Sequence, residues 1–106
     1  MTTFVKVGRA SDLPPGSRTL VEVGEDAVIV LNVDGEYLAI ADLCTHDGGP
    51  LEDGDIVDGC IECPRHGALF DLRTGKVKRL PATDPIPVFQ VRVEDDDLYV
   101  AAADDW

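Results

Sequence analysis

Short runs of β-branched and aromatic residues, each cut off by turn formers, repeat along the whole chain: "TFVKV", "TLVEV", "AVIVLNV", "EYLAIA", "DIVDGCIEC", "ALFDL", "KVKRL", "VFQVRV" and "LYVAA". No stretch keeps a helical period for ten residues or more, so the chain is expected to be all-β. The turns say which strands are neighbours. Asp34-Gly35 reads as a two-residue hairpin between "AVIVLNV" and "EYLAIA", and Asp58-Gly59 as another between "DIV" and "CIEC", because Asp and Gly tolerate the positive φ such turns demand. Thr74-Gly75 marks a further tight turn, and Asp95 to Asp97 fill the loop before the last strand. "DLPPGS" and "LPATDPIP" are expected to be irregular, since proline has no amide proton to give to a ladder.

A length of 106 residues leaves room for one core, so residues 1–106 are expected to form a single domain. The composition, 44% hydrophobic and 28% charged, is that of a folding chain rather than a disordered one. The formal net charge is -12, with acidic runs at Glu94 to Asp97 and at Asp104 and Asp105. Such a surface repels phosphate backbones and anionic lipid, so neither nucleic acid nor a membrane is expected as a partner, and it argues for a monomer. The same carboxylates keep a small protein soluble and steer it toward basic protein surfaces. The N-terminal residues lack a positive segment followed by an apolar run, and nowhere do 18 apolar residues follow one another, which favours a cytoplasmic location.

The three cysteines are an odd number and a poor disulfide framework, so metal binding or redox chemistry is the better reading. Two of them share short segments with the only two histidines: "LCTHDGGP" (43–50) and "IECPRHGA" (61–68). Each segment leaves a predicted strand and reads as a loop, so Cys44, His46, Cys63 and His66 form a C-x-H, C-x2-H pair of loops. Two thiolates and two imidazoles suit tetrahedral zinc, but zinc fingers usually draw both cysteines from one knuckle and both histidines from a helix. A mixed pair from each loop is what a [2Fe-2S] cluster uses when one iron keeps two thiolates and the other takes two imidazoles. A structural zinc module stays open at this point.

The residues "CTH" and "CPRHG" resemble the signature of the Rieske iron-sulfur family. The strand order, the Asp58-Gly59 hairpin, "DLRTGKV" and the proline-rich segment also look like small Rieske ferredoxins serving ring-hydroxylating dioxygenases, so the resemblance covers most of the chain. It implies a Rieske-type antiparallel β-sheet sandwich with a small cluster-binding subdomain of two loops, at about residues 42–70. It further implies one [2Fe-2S] cluster, with Cys44 and Cys63 on the buried iron and His46 and His66 on the outer one. The function expected from it is electron carriage, not catalysis: one electron passes from a flavin-dependent ferredoxin reductase to a terminal non-haem iron oxygenase. The alternative in the same family is the small Rieske subunit of an assimilatory nitrite reductase.

Replacing two thiolates by neutral imidazoles makes the cluster less negative and raises its potential, to roughly -150 to +300 mV against about -400 mV for plant-type ferredoxins. Rieske proteins of cytochrome complexes resemble this chain but carry a disulfide between loop positions occupied here by Gly49 and Arg65. They also place Ser and Tyr where this chain has Ala68 and Phe70. Two hydroxyl donors are thereby lost, so a low-potential centre is expected. Cys60 makes a C-x-x-C with Cys63, but a thioredoxin-type motif needs a helix N-terminus, and Cys60 is expected to be a packed side chain. Asp47 is expected as an exposed loop carboxylate and Arg65 as a docking contact or a cap on loop carbonyls. Gly48 and Gly49 are expected to allow close backbone approach and to aim their amides at cluster sulfides. Pro81, Pro85 and Pro87 look like a loop that shields the cluster.

Overall fold

The computed structural model describes residues 3–101. Asp104, Asp105 and the final residue of "LYVAA" lie outside the described residues. The strands are β1 (Phe4–Arg9), β2 (Arg18–Val23), β3 (Asp26–Val33), β4 (Glu36–Ala41), β5 (Ile56–Val57), β6 (Cys60–Glu62), β7 (Leu69–Asp71), β8 (Val77–Arg79), β9 (Val88–Phe89), β10 (Val91–Glu94) and β11 (Asp97–Ala101). A single 3-10 turn, Ala10–Asp12, is the helical element among the described residues. The all-β expectation therefore holds. Three antiparallel sheets form, with strand orders β1-β11-β10, β2-β3-β4-β9 and β5-β6-β7-β8.

The centre of the middle sheet, where β3 meets β4, is buried on both faces, and the apolar run "AVIVLNV" explains why. Successive side chains of a strand point to opposite faces, so a continuous apolar run serves two cores at once. In β3, Ile29 and Leu31 enter one core with Ile40, Ile61, Phe70 and Leu72. Val28 and Val30 enter the other with Ala39, Phe89, Leu98 and Val100. Each fully buried side chain of this kind contributes about 1.5–3 kcal/mol relative to exposure. A register slip of one residue would exchange the two sets, and the unbroken β3/β4 pairing from Val28↔Ala41 to Val33↔Glu36 guards against it.

The turns follow the Asp-Gly logic. Asp34 and Gly35 adopt φ 53 and 95, and Asp58 and Gly59 φ 49 and 77, closing the two expected hairpins. The last hairpin is tighter than expected. Asp95 and Asp96 take the positive φ values alone, 50 and 71, which frees Asp97 to pair with Glu94 at the start of β11. The Thr74-Gly75 turn is wider than expected. Asp71 N–H donates to Lys76 O at 2.8 Å, and the Asp71 carboxylate accepts the amides of Arg73 and Thr74.

The third sheet is an insertion. The chain leaves β4 at Ala41, builds β5 to β8, and returns as β9 to pair with β4 through Ala39↔Phe89 and Ile40↔Val88. Ala41 N–H donates to Pro87 O at 3.0 Å where the two ends of the insertion meet. Both candidate ligand loops lie inside it.

Candidate metal centre

The two loops close by the same backbone device. Cys44 N–H donates to Gly49 O at 2.8 Å, and Gly48 N–H donates back to Cys44 O at 2.7 Å. Cys63 N–H donates to Ala68 O at 2.7 Å, and Gly67 N–H donates back to Cys63 O at 2.9 Å. In each case a glycine four residues after the cysteine holds positive φ, 76 at Gly48 and 77 at Gly67, a conformation that other residues adopt only with strain. The amides of Gly48 and Gly49 are thus not aimed at sulfides as expected. Gly48 serves Cys44 O, and Gly49 N–H donates to Asp47 Oδ1 at 2.9 Å, because a carboxylate two residues back is the nearest strong acceptor.

Depth separates the four predicted donors into two kinds. Cys44 and Cys63 are buried in the core with Leu51, Ile61, Ala68 and Phe70. His46 and His66 are exposed on the surface, with ring centroids 5.0 Å apart and planes at 87°. Burial pushes the Cys44 thiol above the ordinary thiol range, because a thiolate loses its hydration there.

Zinc and a two-iron cluster make different demands on these donors. A tetrahedral ion with bonds of about 2.0–2.3 Å draws all four donors to within about 4 Å of one another. Here Cys44, Cys63 and Asp47 bring donor atoms within 4.8 Å, and among the described residues no set of three so placed includes either histidine. The imidazoles do not converge on the point the thiols share. Asp47 is already engaged, since Arg65 Nε donates to its Oδ2 at 2.6 Å and Arg65 Nη2 to its Oδ1 at 3.0 Å. What remains is one sulfur pair below one imidazole pair, which fits a cluster with chemically distinct irons.

The Asp47–Arg65 pair was not foreseen as a unit. It joins the two loops, and Arg65 Nη1 also donates to Pro50 O at 2.8 Å. This guanidinium holds the Asp47 carboxyl well below the usual carboxylate range, and the carboxylate in turn raises Arg65 further. Asp47 Oδ2 lies 3.5 Å from His66 Nε2. The only hint in the sequence is the presence of opposite charges beside each histidine.

Other supports were equally hidden. The Asp42 carboxylate accepts the amides of Leu51 and Glu52 at 2.7 and 3.0 Å, closing the base of the first loop. Arg18 of β2 donates to the carbonyls of Glu52 and Gly54, fixing that loop to the middle sheet. The proline-rich segment reaches the centre, though not through its prolines. Ala82 and Ile86 pack in the core with the two thiols, while Pro81, Pro85 and Pro87 are exposed. Cys60 is buried, as expected, and stands outside that core cluster. No helix follows it, so the thioredoxin-type geometry is missing.

The chain is similar to known proteins in both sequence and fold. Residues 3–90 match the model of the Rieske [2Fe-2S] domain. The biphenyl 2,3-dioxygenase ferredoxin component of Rhodococcus jostii (strain RHA1) is 41% identical over 92% of this chain and 91% of its own. The ferredoxin of carbazole 1,9a-dioxygenase from Nocardioides aromaticivorans IC177 superposes with a TM-score of 0.88 at 34% identity, covering 94% of this chain and 98% of that one. A second ferredoxin, in a complex of reduced oxygenase and oxidized ferredoxin of carbazole 1,9a-dioxygenase, has a TM-score of 0.85 at 38% identity, over 92% of both chains. The chain belongs to the Rieske [2Fe-2S] family. Its part in that family is that of a ferredoxin, a carrier of one [2Fe-2S] cluster and of single electrons rather than an enzyme.

Proposed function

We propose that this chain carries electrons from a flavoprotein ferredoxin reductase to a terminal non-haem iron oxygenase in the cytoplasm, with Cys44 and Cys63 on one iron and His46 and His66 on the other. The observation that carries the reading is the sorting of donors by depth, two buried thiols beneath two exposed imidazoles. When bound, the cluster supplies a one-electron redox couple. The chain's own part is to keep water from the sulfur side with Leu51, Ile61 and Phe70, each fully buried, and to leave the imidazole side open to a partner.

The nature of the acceptor is supported by the relatives, which are ferredoxin components of dioxygenases, and by the similar ferredoxin found in complex with its oxygenase. Residues 1–106 act as one domain and as a monomer, with the cluster-binding part at about 42–70. Carboxylates over the rest of the surface steer it to its partners in a salt-dependent way. The test is an absorption and EPR spectrum of anaerobically purified protein before and after dithionite. A red-brown protein whose reduced form gives a Rieske-type signal, lost in Cys63→Ala and altered in His66→Cys, is the expected result. A colourless protein with stoichiometric zinc overturns the reading, and fixed-stoichiometry co-purification with a large haem enzyme replaces the oxygenase with a nitrite reductase.

A further inference from the structure

Among the described residues Leu80 is the most exposed large apolar side chain, 70% exposed, against 43% for Leu20 and 46% for Val93. A leucine left this open on an acidic protein is held there by its surroundings. The segment from Leu80 to Asp84 is pinned at both ends to the histidine loops. Before it, Arg79 Nε donates to Gly67 O at 2.8 Å, beside His66. At its far end, Thr45 Oγ1 donates to Asp84 O at 2.6 Å, beside His46. Between them Ala82 is buried against the core that holds both thiols, so the segment cannot fold Leu80 away without pulling out Ala82. Leu80 therefore stands on the same end of the molecule as the two imidazoles.

The charges around it are arranged in a complementary way. Arg65 is matched by Asp47 and Arg79 by Glu62, so four charged side chains in or tied to the two histidine loops form two internal pairs. A partner that covers this end meets few isolated charges to strip of water. The chain as a whole nevertheless carries a formal net charge of -12. Steering and contact are thereby separated, with unpaired carboxylates elsewhere and an apolar, charge-balanced patch at the redox end.

We infer that Leu80 is the apolar anchor of the docking surface, seated in a hydrophobic depression on the terminal oxygenase when the imidazoles face that protein's own redox centre. The inference rests on the carrier reading and names the side chain that gives it its contact energy. A partner recognised only by charge would need no leucine here, and the pairing of Asp47, Arg65, Glu62 and Arg79 leaves charge a small part at this end.

The test uses the loaded chain as electron donor to the oxygenase components of the Rhodococcus jostii biphenyl system and the Nocardioides aromaticivorans carbazole system, taking whichever accepts electrons faster. Leu80→Ala should raise the apparent KM for this chain about tenfold, and Leu80→Asp further, while kcat at saturation, midpoint potential and EPR spectrum stay at wild-type values. Leu20→Ala on β2 and Val93→Ala on β10 should leave KM unchanged. Equal KM for wild type and Leu80→Ala, or an equal rise in Leu20→Ala, overturns the inference alone. A shifted midpoint or EPR signal in Leu80→Ala assigns the residue to the support of the loops and overturns it too. A wild-type chain that binds no cluster, or passes electrons to neither oxygenase, removes the carrier reading and this inference with it.

Discussion

The Arg65 guanidinium lies flat against Gly49, so close that a Cβ at Gly49 would come within 2.6 Å of Arg65 Cζ. These two positions lie in the two separate ligand loops. Here the joint is made by charge, with Arg65 reaching past Gly49 to Asp47 and to Pro50 O. Gly49→Ala is expected to push the guanidinium aside, because the obstructing atoms are the free end of a flexible side chain. Fold stability should fall by less than about 1 kcal/mol, yet iron should be lost to a chelator faster than from wild type. Adding Arg65→Ala should change that rate no further, since both substitutions break one clamp. Additive rates would show that Gly49 acts in some other way.

The same substitution at Gly54 should behave differently. There a Cβ would stand 2.1 Å from the backbone oxygen of Glu62, and backbone in the β6 ladder has nowhere to go. Gly54→Ala should destabilise the fold by about 3 kcal/mol or more, read as a lower urea midpoint at unchanged slope. A midpoint equal to that of Gly49→Ala would contradict the rigidity assigned to this contact.

Ala68 and Phe70 are fully buried beside the two thiols and bring no hydroxyl to them. The midpoint potential is accordingly expected below about +150 mV, in the lower part of the Rieske range. Ala68→Ser supplies one donor. If that hydrogen bond is about 1.4 kcal/mol stronger to the reduced centre, the midpoint rises by about 59 mV for a one-electron couple. Protein-film voltammetry at fixed pH measures this, and an unchanged or lower midpoint would refute the assignment.

Asp96, in the β10–β11 turn, fastens that hairpin to the segment after β1. Its carboxylate accepts from Ser11 Oγ at 2.7 Å and from Ser11 N–H at 2.9 Å, and pairs with Arg9. The Ser11 hydroxyl, followed by Arg9, holds Asp96 below its ordinary carboxylate range. A lowered folded-state pKa adds stability that is complete above the unfolded value of about 3.9 and is lost as pH falls through the folded value. The Tm gap between wild type and Asp96→Asn should therefore be constant near neutrality and close only below about pH 4. A gap already closing between pH 6 and 7 would point to a different group.

Much of this molecule was legible in its sequence, for reasons that are local. Asp34-Gly35 and Asp58-Gly59 declare their hairpins because φ is a property of the residue itself. Cys44, His46, Cys63 and His66 stand out as candidate ligands because soft donors are scarce and sit in two short loops. The Asp47–Arg65 clamp is different. It joins residues in separate loops, and nothing in either loop distinguishes a paired carboxylate from a solvated one. The role of the proline-rich segment was half legible. Its prolines announced irregular backbone, but Ala82 and Thr45 make the contacts that bring it to the histidines. The amides of Gly48 and Gly49 go to local acceptors, Cys44 O and Asp47 Oδ1, which outcompete a more distant one.

The two ends of the insertion that carries the candidate ligand loops come together on neighbouring strands, with Ala41 N–H on Pro87 O and β9 zipped to β4. A segment whose exit and entrance nearly touch asks little of its host beyond two adjacent strands of opposite direction. Residues 42–87 are in that sense a portable cartridge, suited to transplantation into an unrelated sandwich that offers such a pair and an apolar face for Ile61, Phe70 and Leu72 to cover.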